Sequence, residues 1–178
     1  MRRIFSFLSL LFVFTLSGNA YSSNPINGAF GIELGAFYNP NSAIGKSSLT
    51  DGTTMYQFKP EKPFRSFSRY YVLITPKTNK VYGIWAIGDI DGDAKCGKEQ
   101  DLLMAILSKK YGKSDNQDVM SSFMDIEKIA IGNRRILTKC SGYSDVTIDI
   151  RYYDDDLKLI AEEERIELES EKLDSSGL

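Results

Sequence analysis

Two adjacent stretches, 67–75 and 80–90, limit what this chain can fold into more than any other feature. Both are crowded with β-branched and aromatic residues, and Pro76-Lys77-Thr78-Asn79 between them supplies turn chemistry. They read as a β-hairpin. Strand alternation puts Tyr71 and Leu73 on one face of the first strand and Tyr70, Val72 and Ile74 on the other. On the second strand Tyr82, Ile84 and Ala86 oppose Val81, Trp85 and Ile87. A strand that is apolar on both faces needs cover on both, so the hairpin is expected mid-sheet. The same reading puts Val72, Leu73, Trp85, Ile87, Leu103 and Leu107 into one shared core.

The other elements follow from periodicity. Glu99 to Tyr111 reads as a helix, with Leu103, Ile106, Leu107 and the stem of Lys110 as its stripe and Gly112 as its end. Residues 126–131, 134–140 and 145–153 read as strands. In the last, Val146, Ile148, Ile150 and Tyr152 alternate with Asp145, Thr147, Asp149 and Arg151, the pattern of a half-buried antiparallel strand. Phe30 to Leu34 is a short apolar element, and the turn formers of 39–54 predict a long irregular excursion. Asp154-Asp155-Asp156 can cap a helix that follows. Leu159, Ile166 and Leu173 recur every seven residues in it, Leu157, Ile160, Ala161 and Leu168 form a second partial stripe, and glutamates fill the remainder. It reads as an acidic helix docked by one narrow edge, fraying at 174–178. The fold class is α+β: a mostly antiparallel sheet of about five strands, one packed helix and an acidic C-terminal helix, in a single domain over 21–178.

Residues 1–20 read as a cleaved signal peptide. Arg2 and Arg3 precede an apolar run from Ile4 to Leu16, and Ser17-Gly18-Asn19-Ala20 offers small residues at the cleavage site. The run is too short to cross a bilayer, which takes ~20 residues. The expected location is therefore the periplasm or the exterior, with no membrane span. The net charge of −2 and the lack of a basic stripe argue against nucleic acid as a partner. Cys96 and Cys140 are the only cysteines. In an oxidising compartment an isolated pair predicts one disulfide.

The chain contains no histidine. That excludes Ser-His-Asp and Cys-His catalysis and the usual zinc sites. Carboxylate-pair and Ser-Lys chemistry remain open without a constellation to favour either. Asp89, Asp91 and Asp93 alternate around Gly92 like the start of a calcium loop, where hard oxygens converge on a hard ion. The pattern then departs: Ala94 stands where the loop glycine belongs and Gln100 where the bidentate glutamate does. The other reading of these aspartates is a polar turn that caps the next helix. Arg65, Phe67 and Arg69, set off by Pro60 and Pro63, are the candidate partner-binding residues, because aromatics and arginine are enriched at interface hot spots. The acidic helix is a further candidate, facing a basic partner.

The apparent leader, Phe30-Gly31-Ile32-x-Leu34-Gly35, Lys109-Lys110-Tyr111-Gly112-Lys113 and the closing Asp174-Ser175-Ser176-Gly177-Leu178 together resemble small uncharacterised exported proteins of Gram-negative bacteria. The resemblance implies a location and no activity. A looser similarity to the small α+β lipoproteins of outer-membrane assembly is set aside, because the lipidated cysteine has no counterpart in this chain. The expectation is an exported, non-catalytic binding protein, an inhibitor or immunity-type partner of another protein, with no cofactor. Two alternatives stand beside it: a weak calcium-dependent module at Asp89, Asp91 and Asp93, and an enzyme without histidine.

Overall fold

The hairpin that dominates the sequence sits mid-sheet. The computed structural model describes residues 24–112 and 126–175. The leader at 1–20, the polar connection at 113–121 and the last three residues of the tail, 176–178, lie outside the described residues. A small hairpin comes first, β1 (Gly28–Ala29) and β2 (Ile32–Glu33), followed by a 3-10 turn at Pro40–Ser42. Then come β3 (Gly45–Ser48), β4 (Thr54–Gln57), β5 (Arg69–Ile74), β6 (Val81–Ile90) and helix α1 (Asp93–Tyr111). The chain ends with β7 (Ile126–Ile131), β8 (Arg134–Ser141), β9 (Val146–Asp154) and helix α2 (Asp155–Ser175). Strands β3 to β9 form one antiparallel seven-stranded sheet in the order β3-β4-β5-β6-β9-β8-β7. The class is α+β, with more strands than the five expected. The surplus comes from β1–β2 and from β3–β4, a hairpin whose first strand and turn lie in the stretch read as irregular and whose second strand runs past its end. Its turn formers make the bend at Asp51-Gly52, while strands this short carry too few residues to show an alternation.

The helices cover opposite faces. Helix α1 lies over β7, β8 and β9, and α2 lies against β6 and β9 on the other side. The six residues expected in one core are therefore divided. Val72, Leu103 and Leu107 belong to the larger cluster under α1. Leu73 lies in a second cluster with Met55, Tyr82 and Ala161 under α2, and Trp85 packs against that cluster. Ile87 follows Trp85 by alternation and is half-buried. A β-bulge adds a further change. Leu73 pairs with Gly83 but Ile74 pairs with Val81, so Tyr82 is the extra residue. It turns to the α2 face, while Val81 turns to the α1 face with Ile84 and Ala86.

Helix α1 begins six residues before the sequence reading placed it. Gly97 interrupts the helical pattern and hides the first turn and a half. The buried line is Cys96, Gln100, Leu103, Leu107 and Tyr111. Ile106 is 46% exposed, because the line runs through Cys96 and Gln100 instead. Gln100 donates to the Thr138 carbonyl at 3.1 Å, which satisfies a buried amide. Cys96 and Cys140 are bonded, with Cα atoms 6.0 Å apart, tying the first turn of α1 to β8.

The N-terminal hairpin completes the α1 side. Phe30 and Gly31 both have positive φ, 55° and 85°, as a two-residue turn requires. For a phenylalanine that conformation is strained. Its ring stacks edge-on to Phe67, Tyr70 and Tyr152 at centroid distances of 6.0, 5.1 and 6.2 Å, contacts that offset the strain. Arg134 then clasps this segment. It donates to the carbonyls of Ile26 and Leu34 and, through Nε, to the buried Asp154 at 3.0 Å. Asp154 also accepts from the Leu157 amide at 3.2 Å, so it is the N-cap of α2.

Helix α2 docks by one narrow edge, as expected. Of the two stripes read from sequence it is the second that docks, along Leu157, Ala161 and Leu168, with Glu164 added and Ile160 left 41% exposed. Glu164 is only 9% exposed. It accepts from the Lys77 amide at 2.6 Å and the Thr78 hydroxyl at 3.1 Å, gripping the β5–β6 turn. Lys77 reaches Glu167 and Glu171 at 2.9 and 3.2 Å. The helix continues through Asp174 and Ser175, two residues expected to fray.

Candidate functional site

The face opposite α1 is covered unevenly. Helix α2 lies over the row Met55–Leu73–Gly83–Tyr153, which the register places side by side on β4, β5, β6 and β9. The next row runs Tyr71, Trp85, Arg151, Leu137, and the one beyond it Arg69, Ile87, Asp149, Lys139. Among the described residues no helix packs over these two rows. Tyr71, Trp85, Ile87, Leu137, Lys139 and Arg151 are all half-buried.

The centre of this strip is ordered by charge. The Arg151 guanidinium lies over the Trp85 ring, 4.1 Å from its centroid. It also donates two parallel hydrogen bonds to Asp149, at 2.8 and 3.0 Å. An arginine held flat against an indole and forked onto a carboxylate is fixed in place before any partner arrives. Arg69 extends the strip by pairing with Asp89. On its other border Arg135 lies 5.6 Å from the Tyr153 ring and pairs with Asp155 at 3.0 Å.

Asp149 was expected on a solvated face, but its side chain is only 6% exposed. Burial pushes its carboxyl above the ordinary aspartate value, and the hydrogen bonds and charge of Arg151 offset part of that rise. The sign follows by linkage. Between the unfolded and the higher folded value the folded state holds the extra proton, so this group's contribution to stability falls as pH rises through that window. The stability of the parent minus that of D149N, measured by urea unfolding across about pH 3 to 6, is expected to fall with pH. A carboxyl that titrates at or below the ordinary aspartate value by NMR would refute this.

No family model matches the chain, no curated protein matches it in sequence, and no solved structure matches it. The functional reading therefore rests on the residues themselves.

The structure scatters the site residues expected from sequence. Phe67 is 6% exposed and lies in the core, so it is not a surface anchor. Arg65 is exposed and faces Glu99 of α1 at 3.6 Å, on the other side of the sheet from Arg69. Of the three candidates, Arg69 alone stands on the open strip. The three aspartates do not converge. Asp89 is engaged by Arg69 and Asp91 by Lys95 at 2.9 Å, while Asp93 opens α1. Among the described residues no group of three or more acidic, cysteine or histidine side chains is arranged to hold a metal. The N-cap of α1 is Gly92, and it makes no side-chain capping bond, so the aspartates do not cap that helix.

Two clefts flank α2. One, of about 270 Å³, lies between the helix and β4, with Thr54, Tyr82 and Arg165 in its wall. The other, of about 120 Å³, adjoins it beside Asp51 and Tyr153. Arg165 divides them and donates to the Thr53 hydroxyl at 2.6 Å. Burial pushes the Tyr82 hydroxyl up to about 12, so it is a hydrogen-bond donor and not a base at neutral pH.

Trp85, Arg151 and Asp149 were not singled out from sequence as a site. A partial signal existed, since alternation on β9 sets Asp149 and Arg151 on one face. The register that brings Trp85 against Arg151 was the missing part.

Proposed function

We propose that this chain is an exported, non-catalytic binding protein, an inhibitor or immunity-type partner of another protein, acting in the periplasm or outside the cell. The observation that carries the reading is the open strip centred on Trp85 and Arg151. Tryptophan, tyrosine and arginine dominate interface hot spots because they combine large apolar area with directed polar contacts. Here Trp85, Tyr71 and Arg151 lie side by side on rigid strands, so little ordering entropy would be lost on binding. Export is supported by the basic and apolar character of residues 1–16 and by the Cys96–Cys140 pair. Among the described residues no helix is long and apolar enough to cross a membrane.

The test is capture on immobilised protein from a periplasmic extract. The parent is expected to retain a protein that Trp85→Ala and Lys139→Glu each release by about tenfold. Both variants are checked for an unchanged circular dichroism spectrum, and Lys46→Ala, on the far edge strand, is expected to retain the partner normally. If nothing retained depends on Trp85 or Lys139, the reading falls.

A further inference from the structure

Helix α2 is apolar along two opposite edges, and the fold uses one of them. At about 100° per residue, Leu157, Ala161, Glu164 and Leu168 share the docked edge. Leu159 and Ile166, one heptad apart, lie on the opposite side. They are 59% and 67% exposed, and Leu173 continues their line at 57%. Single exposed aliphatics are ordinary on a protein surface. A heptad-spaced line is one of the two seam positions by which helices pair, and here the other is filled by Glu162 and Glu169.

The flanks of this line are acidic. Glu163 lies on one side, and Glu162 and Glu169 on the other, with Lys158 and Arg165 beyond them toward the docked edge. Glu162 has Lys158 at 3.7 Å, and Glu167 and Glu171 share Lys77. Among the described residues Glu163 and Glu169 take part in no ion pair. These charges select the occupant. A second copy of α2 would set Glu162 and Glu169, the charges nearest the line, against their own counterparts when parallel and against Leu159 and Ile166 when antiparallel. An anionic bilayer would be repelled, since helices that lie on membranes carry lysine and arginine on their polar faces. A basic helix satisfies the apolar line and the flanks together.

We propose that the outer edge of α2 is a docking surface for a basic amphipathic helix of another protein. Apolar side chains of that helix seat on Leu159 and Ile166, and its lysines or arginines face Glu163 and Glu169. This surface is separate from the open sheet strip and stands or falls independently of it.

The probe is a synthetic helix of about 21 residues, long enough to run the length of the line. It carries leucines at heptad positions and lysines on both flanks. Its twin carries glutamates in place of the lysines. Binding is read by fluorescence anisotropy. The lysine peptide is expected to bind, and L159Q/I166Q and E163Q/E169Q are each expected to weaken it by about tenfold or more. E33Q/E61Q makes the same charge change away from α2 and is expected to leave binding unchanged. All substituted side chains are solvent-exposed, and melting curves confirm that each variant is folded. Three results would overturn the proposal: equal binding of both peptides, unchanged binding to L159Q/I166Q, or a dimer of the protein alone that L159Q/I166Q dissociates. None of these would touch a partner whose capture depends on Trp85.

Discussion

Reducing the Cys96–Cys140 disulfide is expected to lower the stability of the folded chain by about 4 kcal/mol. The figure comes from the loop that the bond closes, since the two cysteines are 44 residues apart. In the chain-entropy treatment, opening that loop returns its closure entropy to the unfolded state. Where the bond sits adds to the expectation. Cys96 is fully buried in the first turn of α1, and Cys140 is on β8 beside the helix. Besides its backbone bonds to the Gly92 carbonyl, the turn around Cys96 is held by the exposed Asp91–Lys95 pair. Gly92 makes no side-chain cap, and Gly97 lies within the helix, where glycine costs about 1 kcal/mol relative to alanine. The first turn of α1 should therefore open before the remainder. The measurement is urea unfolding with and without a thiol-free reductant, paired with amide exchange of residues 93–100. The bond would be shown to add little if the midpoint shift corresponded to less than about 1 kcal/mol. Uniform exchange along α1 would show that the bond does not single out the helix start.

Much of the fold was legible because local chemistry and global position agree in it. The β5–β6 hairpin announces itself through apolar residues on both faces, and it sits mid-sheet as such strands must. The buried half of β9 can be read residue by residue from its alternation. That α2 docks by a narrow edge is legible for the same reason, but not which of its two stripes docks, and the edge includes Glu164, a residue that composition assigns to solvent. Apart from the start of α1 and the short strands, the failures of reading involve a residue whose partner is distant in sequence. Gln100 is buried because Thr138 waits for its amide. Asp149 is buried where the register sets it between Ile87 and Lys139, with Arg151 forked onto it. Tyr82 crosses to the α2 face because one bulge residue shifts the pairing. The candidate site is of the same kind, since it exists only once the register sets Trp85 of β6 against Arg151 of β9.

Gly88→Ala is expected to destabilise the protein by about 3 kcal/mol or more, far beyond the usual cost of a single methyl group. Nothing in the local sequence marks this glycine, whose backbone is ordinary strand. The reason lies across space. The segment Phe64–Phe67 crosses β6 directly above Gly88, and a Cβ there would lie 1.6 Å from the Ser66 carbonyl oxygen and 3.3 Å from the Phe67 Cα. Both are backbone atoms, so a rotamer change cannot relieve the clash. The crossing segment is also held from several sides. Tyr70 Oη accepts from the Phe64 amide at 3.0 Å and lies 3.1 Å from the Phe67 carbonyl, which it can donate to. Ser66 donates to Glu99 of α1, and the Ser68 amide donates to the Ile87 carbonyl at 2.9 Å. Making room for one methyl group would mean lifting this segment, withdrawing Phe67 from the ring cluster around Phe30 and Tyr70, and breaking some of those bonds. Gly97→Ala is the internal control, because its Cβ would enter open space in a helix and should stabilise by about 0.5–1 kcal/mol. Chemical unfolding of the two variants side by side tests the contrast. A Gly88→Ala protein within about 0.5 kcal/mol of the parent would mean that the crossing segment does not hold this position in solution.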